Sequence, residues 1–200
     1  MSEVIRKLIP VETNILDAEE HVKALLRLMG EDINREGLLK TPYRVIKSFE
    51  ELYAGYKEDP ADILGTTFES DADEMVFCND IDFWSTCEHH MIPFFGKVHI
   101  AYVPKGRVVG LSKLARVVNV FAKRLQIQEQ MTTQIADAIM THIDAEGVGV
   151  VVEAQHLCMK ARGVKNPSSY MKTSKLLGCF KEPTTRSEFY HLIQRSSNGL

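Results

Sequence analysis

Apolar residues recur at helical spacing near the start of the chain. From Asp17 to Met29, Ala18, Val22, Leu25, Leu26 and Met29 share one face, and Gly30 offers a stop. Thr41-Pro42 is a helix start, Thr as cap and Pro at the first helical position. Val45, Ile46, Phe49, Leu52 and Tyr53 follow at helical spacing, and Gly55 ends the run; Pro60 to Leu64 adds one turn. The period then changes. Met75 to Thr86 and Phe94 to Val103 read as strands, Pro104-Lys105-Gly106 as a turn, and Arg107 to Gly110 as a strand that closes a hairpin.

Two helices follow. Ser112 is the expected cap of the first, which runs to about Leu125 with Leu114, Val117, Val118, Phe121 and Leu125 inward. The second runs from Gln128 or Glu129 to Glu146, with Met131, Ile135, Ala138, Ile139 and Ile143 inward and Gly147 closing it. Val148 to Leu157 and Tyr170 to Phe180 are expected strands around the Asn166-Pro167-Ser168 turn, and Pro183 opens a last helix to about Gln194. The order is helices, hairpin, two helices, hairpin, helix. Such an order predicts an α+β fold, a four-stranded antiparallel sheet with two helices on one face. Residues 1–73 are expected to form an N-terminal helical region and residues 74–200 the main α+β domain. The sheet edges need protection, which pairing between subunits would provide.

Composition changes this picture little. The 200 residues are 44% hydrophobic and 26% charged, a profile of ordinary globular chains. The opening MSEVIRKLIPVETNILDAEE does not read as a secretory signal, and no apolar run approaches the roughly 20 residues of a membrane span. A cytoplasmic location with reduced cysteines is expected, and Cys78, Cys87, Cys158 and Cys179 are then better tested for metal than for disulfides. A net charge of -3 argues against general nucleic-acid binding. Its distribution is uneven. The acid-free stretch between Glu88 and Glu129 holds Lys97, Lys105, Arg107, Lys113, Arg116, Lys123 and Arg124. A second, from Ala154 to Lys181, holds Lys160, Arg162, Lys165, Lys172, Lys175 and Lys181. If the two meet in space they make an anion site; otherwise they are solvated surface.

Cys87-Glu88-His89-His90 is the sharpest local signal, because a thiolate and an imidazole close in sequence can chelate one ion. A second pair lies in His156-Leu157-Cys158. A catalytic zinc takes three protein ligands and keeps one position for water. Cys87, His90 and Cys158 supply that number and leave His89 and His156 for proton transfer. Spacing alone does not choose between His89 and His90. An extended strand puts Cys87 and His89 on one face, whereas a turn brings Cys87 and His90 together. The plainer alternative is a buried cysteine with two partly exposed histidines; Cys78 and Cys179 read as small core residues. Val108 to Lys113 is a strand, a Gly turn and a helix start, where free N–H groups favour phosphate, although ordinary capping has the same look. Gln128-Glu129 stands at a helix junction. A carboxylate there could hold the N–H edge of guanine, or simply favour the helix dipole.

These residues carry a resemblance to zinc-dependent GTP cyclohydrolase I. Cys87-Glu88-His89-His90 with Pro93-Phe94, Gly96 to Tyr102, Gly110-Leu111-Ser112-Lys113, Arg124 to Glu129, His156 to Met159 and Arg162-Gly163-Val164 resemble its motifs, as do Thr41-Pro42 with Arg44 and Thr185 to Phe189. The resemblance implies Cys87, His90 and Cys158 as ligands of one Zn2+ per subunit, with His89 and His156 as the acid–base pair. It implies substrate contacts from Glu129 and Gln128 at guanine, and from Leu111, Ser112, Lys113, Arg116, Arg162 and Arg44 around the triphosphate. It further implies the tunnelling fold, a homodecamer of two pentamers with sites at subunit boundaries, and hydrolysis of GTP to 7,8-dihydroneopterin triphosphate and formate. The competing expectations are a nitrile reductase of the queuosine pathway and a non-enzymatic zinc module closed by Glu88 or His156.

Overall fold

The computed structural model describes residues 15–196. Residues 1–14 of the expected N-terminal region, and residues 197–200, lie outside the described residues. The chain divides into two compact units that meet in sequence between Glu51 and Leu52. The first holds helix α1 (Ile15–Leu28), a short turn of helix at Glu36–Leu38, and most of α2 (Thr41–Leu52). Of the expected apolar stripe, Leu26 is buried, whereas Leu25 and Met29 are exposed.

The division falls well before the expected 73/74 boundary. Residues 54–69 are built into the second unit: Gly55 N–H donates to Lys123 O and Arg124 Nε to Gly55 O. Leu64, in α3 (Pro60–Leu64), is fully buried in the main core. Strand β1 (Thr67–Glu69) pairs antiparallel with β4 (Arg107–Val109), and Arg107 Nε donates to Thr67 Oγ1 at 2.7 Å.

The main sheet contains β2 (Val76–Cys87), β3 (Pro93–Val103), β5 (Leu125–Gln126), β6 (Gly147–His156) and β7 (Met171–Gly178), in the order β5-β2-β3-β6-β7. The four long strands are antiparallel neighbours, as the sequence predicts; the two-residue β5 adds a parallel edge along Thr86 and Cys87. One expectation fails. β4 does not close a hairpin with β3, because β2 and β6 already occupy both edges of β3. The chain turns away at Gly106, whose φ of 76° suits glycine, and finds β1 instead.

Helices α4 (Leu111–Ala122) and α5 (Gln128–His142) cover one sheet face. Leu114, Val117, Val118, Met131, Ile135 and Ile139 pack there on Phe83, Val98, Ile100 and Val150, all buried. Each such side chain contributes about 1.5–3 kcal/mol relative to exposure. Both helices end earlier than expected: β5 pairing takes Leu125 from α4, and Asp144, at φ 48°, breaks α5 before Glu146. Gly110, not Ser112, caps α4, with no side-chain capping bond. Helix α7 (Pro183–Ser196) lies on the opposite face, where Phe189 and Ile193 pack on Ala101 and Val151.

Beyond α7 that second face carries a charged row and, beside it, Trp84 stacked on Phe95 at 4.3 Å between centroids. Register sets Asp82, Lys97, Glu153 and Lys172 side by side across the four strands. Lys97 pairs with Asp82 and Lys172 with Glu153, each at 2.7 Å. Among the described residues no helix is long and apolar enough to cross a membrane.

His99, on the same face, is a buried polar residue, 2% exposed. Its Nδ1 accepts from the N–H of Asp80, a residue at positive φ where the β2–β3 register shifts. Burial pushes the imidazole below its ordinary value, and Asp80 and Glu153 partly offset this. A base whose folded value is lowered contributes stability that is complete above the unfolded value, near 6.5, and lost as pH falls below it. The urea midpoint should therefore drop between pH 7 and 5 more steeply in the wild type than in His99→Gln.

Candidate metal centre and its surroundings

Strand β2 delivers Cys87 as its last residue, and residues 88–92 turn back into β3. The turn is closed by Cys87 N–H to Ile92 O, and by His90 and Met91 N–H to Cys87 O; Met91 takes φ 53°. The sequence left strand and turn open here, and the structure has the turn. Both His89 and His90 come within 3.9 Å of Cys87 Sγ through Nδ1. Cys158 arrives from far along the chain. It lies in α6 (Leu157–Lys160), a single turn that follows β6 directly, rather than in a strand. The β3–β6 register, which sets Phe94 opposite His156, carries that turn to the mouth of the β2–β3 hairpin.

Cys87, His90 and Cys158 then place one donor atom each within 4.8 Å of one another. Tetrahedral zinc, with Zn–S near 2.3 Å and Zn–N near 2.05 Å, needs S–N and S–S edges of about 3.6 and 3.8 Å. The donor set therefore fits, with small side-chain adjustment. Its chemistry also fits. Burial pushes the Cys158 thiol up and the neighbouring Cys87 sulfur raises it further, so two thiolates here call for a cation. Among the described residues this group has three members, the number of protein ligands a catalytic zinc takes. Arg162 Nη1 lies 3.1 Å from His90 Nε2; a guanidinium can only donate, so that nitrogen accepts.

His156 stands beside the group, its ring stacked flat on Phe94 at 4.6 Å between centroids and its Nε2 2.7 Å from Gln128 Oε1. Burial pushes this imidazole below its ordinary value, partly offset by the carboxylate of Glu129. Glu129 itself is exposed at the start of α5. Gln128 is 1% exposed and turned inward, its amide nitrogen donating to Val152 O, Met171 O and Thr173 Oγ1. The side chain expected beside guanine is thus engaged with the sheet and with His156. Thr173, Thr132 and Phe94 drew no attention in the sequence as site residues. The only trace was a pair of polar residues, Gln128 and Thr132, one turn apart on the inward side of α5.

Arg162 is thus the expected phosphate residue that lies at the metal centre, and those of α4 lie away from it. Ser112 and Arg116 are exposed, Lys113 is half-buried, and Leu111 is 62% exposed at the start of α4. That start follows Val109, whose N–H donates to Tyr102 Oη, and Tyr102 pairs with Val76 at the far end of β2 from Cys87. The helix runs back toward β5 and Cys87, so Ser112 and Cys87 are on the order of 15–20 Å apart within one chain. Arg44 is exposed on α2, in the first compact unit.

Two strands, two helices and two strands, with a Cys–His–Cys group at the mouth, make the layout of a tunnelling-fold enzyme with a metal-binding centre. The family profile of GTP cyclohydrolase I matches residues 18–194, and the chain belongs to that family. GTP cyclohydrolase 1 of Campylobacter lari is 57% identical over 177 residues, 88% of this chain and 93% of the relative. That of Coxiella burnetii is 53% identical over 178 residues, 88% of this chain and 97% of the relative. Among solved structures, the apo form of the archaeosine synthase QueF-Like aligns with 55% of this chain and 97% of that chain, at 15% identity and a TM-score of 0.43.

Proposed function

We propose that this chain is a cytoplasmic GTP cyclohydrolase that opens GTP at C8 and yields 7,8-dihydroneopterin triphosphate and formate. The observation that carries the reading is the convergence of Cys87, His90 and Cys158 at the hairpin mouth in a chain of this family. These three hold one zinc per subunit, which when bound supplies the Lewis acidity that brings a water's pKa toward ~7. His89 and His156 move protons: one gives a proton to N7 as water adds at C8, so that the imidazole ring of guanine opens. Glu129 accepts from the N–H edge of guanine and discriminates against adenine, which lacks that edge. Arg162, next to His90, meets phosphate oxygens.

Ser112, Lys113 and Arg116 serve the triphosphate from a neighbouring subunit. The distance along α4 supports this, because it sets the helix start about three helical turns from the metal centre of its own chain. Homodecameric assembly, two pentamers face to face, places those residues across each boundary and gives the sheet edges partners.

The test is turnover of GTP by purified protein. Formate should appear with a pterin that fluoresces after oxidation, both should cease on chelation, and both should return with stoichiometric zinc. Full turnover by metal-free protein overturns the reading.

A further inference from the structure

The inward set of polar groups behind His156 has a determined direction. Val152 O and Met171 O are carbonyls, which only accept, so the Gln128 atom facing them is its NH2 group at 3.1 and 3.2 Å. The amide oxygen is thereby turned to His156, at 2.7 Å from Nε2. An amide oxygen cannot donate, so Nε2 carries the hydrogen. The hydroxyls behind the amide close the same logic. Thr132 Oγ1 lies 2.7 Å from the backbone O of Gln128, again a pure acceptor, and so spends its one hydrogen there. In the 2.6 Å contact between Thr132 and Thr173, Thr173 is then the donor. Thr173 Oγ1 in turn accepts from Gln128 Nε2 at 3.1 Å. Each hydroxyl hydrogen has one place, the two amide hydrogens are shared among three acceptors, and the ring runs Gln128 amide, Thr173, Thr132, Gln128 carbonyl. Reversing any member leaves two acceptors facing each other in a buried site.

We propose that Thr132, Thr173 and Gln128 are positioning residues that hold the His156 ring in one orientation as the Nε2–H tautomer. Phe94 fixes the plane of the ring and the amide fixes its rotation within that plane. Gln128 then acts through His156 rather than on guanine by its side chain. The catalytic meaning of this relay rests on the proton-transfer role of His156 proposed above.

The test uses the zinc-loaded full-length enzyme with 15N-labelled histidine. Solid-state NMR reads the His156 tautomer, assigned by the signal missing in His156→Gln. The wild type should show protonated Nε2 and bare Nδ1. Gln128→Met keeps the shape and removes the acceptor. It should lose the single-tautomer signature and lower kcat by about 10²-fold, with KM for GTP unchanged and zinc content intact. Thr173→Val should lower kcat several-fold, and Thr173→Ser, which keeps the hydroxyl, should restore most of that loss.

A wild-type spectrum with hydrogen on Nδ1 overturns the proposal. So does a Gln128→Met enzyme that raises KM at unchanged kcat, since Gln128 would then touch substrate. Should Gln128→Met fail to fold, the Thr173 pair decides, and equal loss in Val and Ser overturns the relay. A changed tautomer with unchanged kcat supports the relay and instead overturns the catalytic role of His156.

Discussion

Cys158→Ala will release the metal and abolish turnover, whereas His89→Ala will keep the metal and lose turnover. Both side chains approach Cys87 in space, so the contrast is demanding. Cys158 is one of three donors, and removing it leaves a thiolate and an imidazole from one turn, too few to hold zinc against solvent exchange. His89 also approaches Cys87 at 3.9 Å, yet it stands outside the group that includes Cys158. Its loss should cost about 10²- to 10⁴-fold in kcat, the range for a proton-transfer group. Metal per chain by elemental analysis, next to formate release, reads both. A His89→Ala enzyme stripped of zinc beside a zinc-replete Cys158→Ala enzyme would exchange the two assignments.

Two inactive variants will restore activity when they are assembled together. Ser112→Ala/Lys113→Ala removes the helix-start donors and should lower kcat/KM by roughly 10²-fold, as for charged hydrogen bonds. Cys158→Ala removes the metal. If each site takes the metal from one subunit and the α4 start from another, random co-assembly at equal ratio leaves roughly a quarter of sites with both halves intact. Co-expression with two affinity tags isolates the mixed particles. Activity no greater than the mean of the two parents would place both halves in one chain and contradict the 15–20 Å separation along α4.

The helices were legible because a 3.6-residue period marks a buried face whatever the partner. The long strands were legible for the matching reason, but a period identifies a strand and not its neighbour. Hence β4 was assigned to β3 when both β3 edges were already taken. β1 and β5, three and two residues long, are shorter than any period can show. At the site, the Cys–Glu–His–His run and the distant His156-Leu157-Cys158 offered the donors, and the resemblance chose His90 over His89. The arrival of Cys158 depends on β3–β6 register, a property of pairing between residues some sixty positions apart. The inward turn of Gln128 was illegible for the same reason. Its partners Val152, Met171 and Thr173 lie on two strands that follow α5, and nothing in Gln128-Glu129 announces them.

The row of Asp82, Lys97, Glu153 and Lys172 has a role that its weak exposed ion pairs do not suggest by energy alone. A strand that slips must slip by two residues to keep its apolar side covered, since a slip of one turns it inside out. A two-residue slip of β6 along β3 would carry Cys158 about 7 Å from its present place beside Cys87. The same slip would set Lys97 against Val151 or Gln155 in place of Glu153. Alternating charges on one side of the sheet thus gauge the spacing of sulfurs on the other. Capacity to chelate becomes a proofreading signal for strand alignment: a chain zipped one notch out of place has no pocket for the ion.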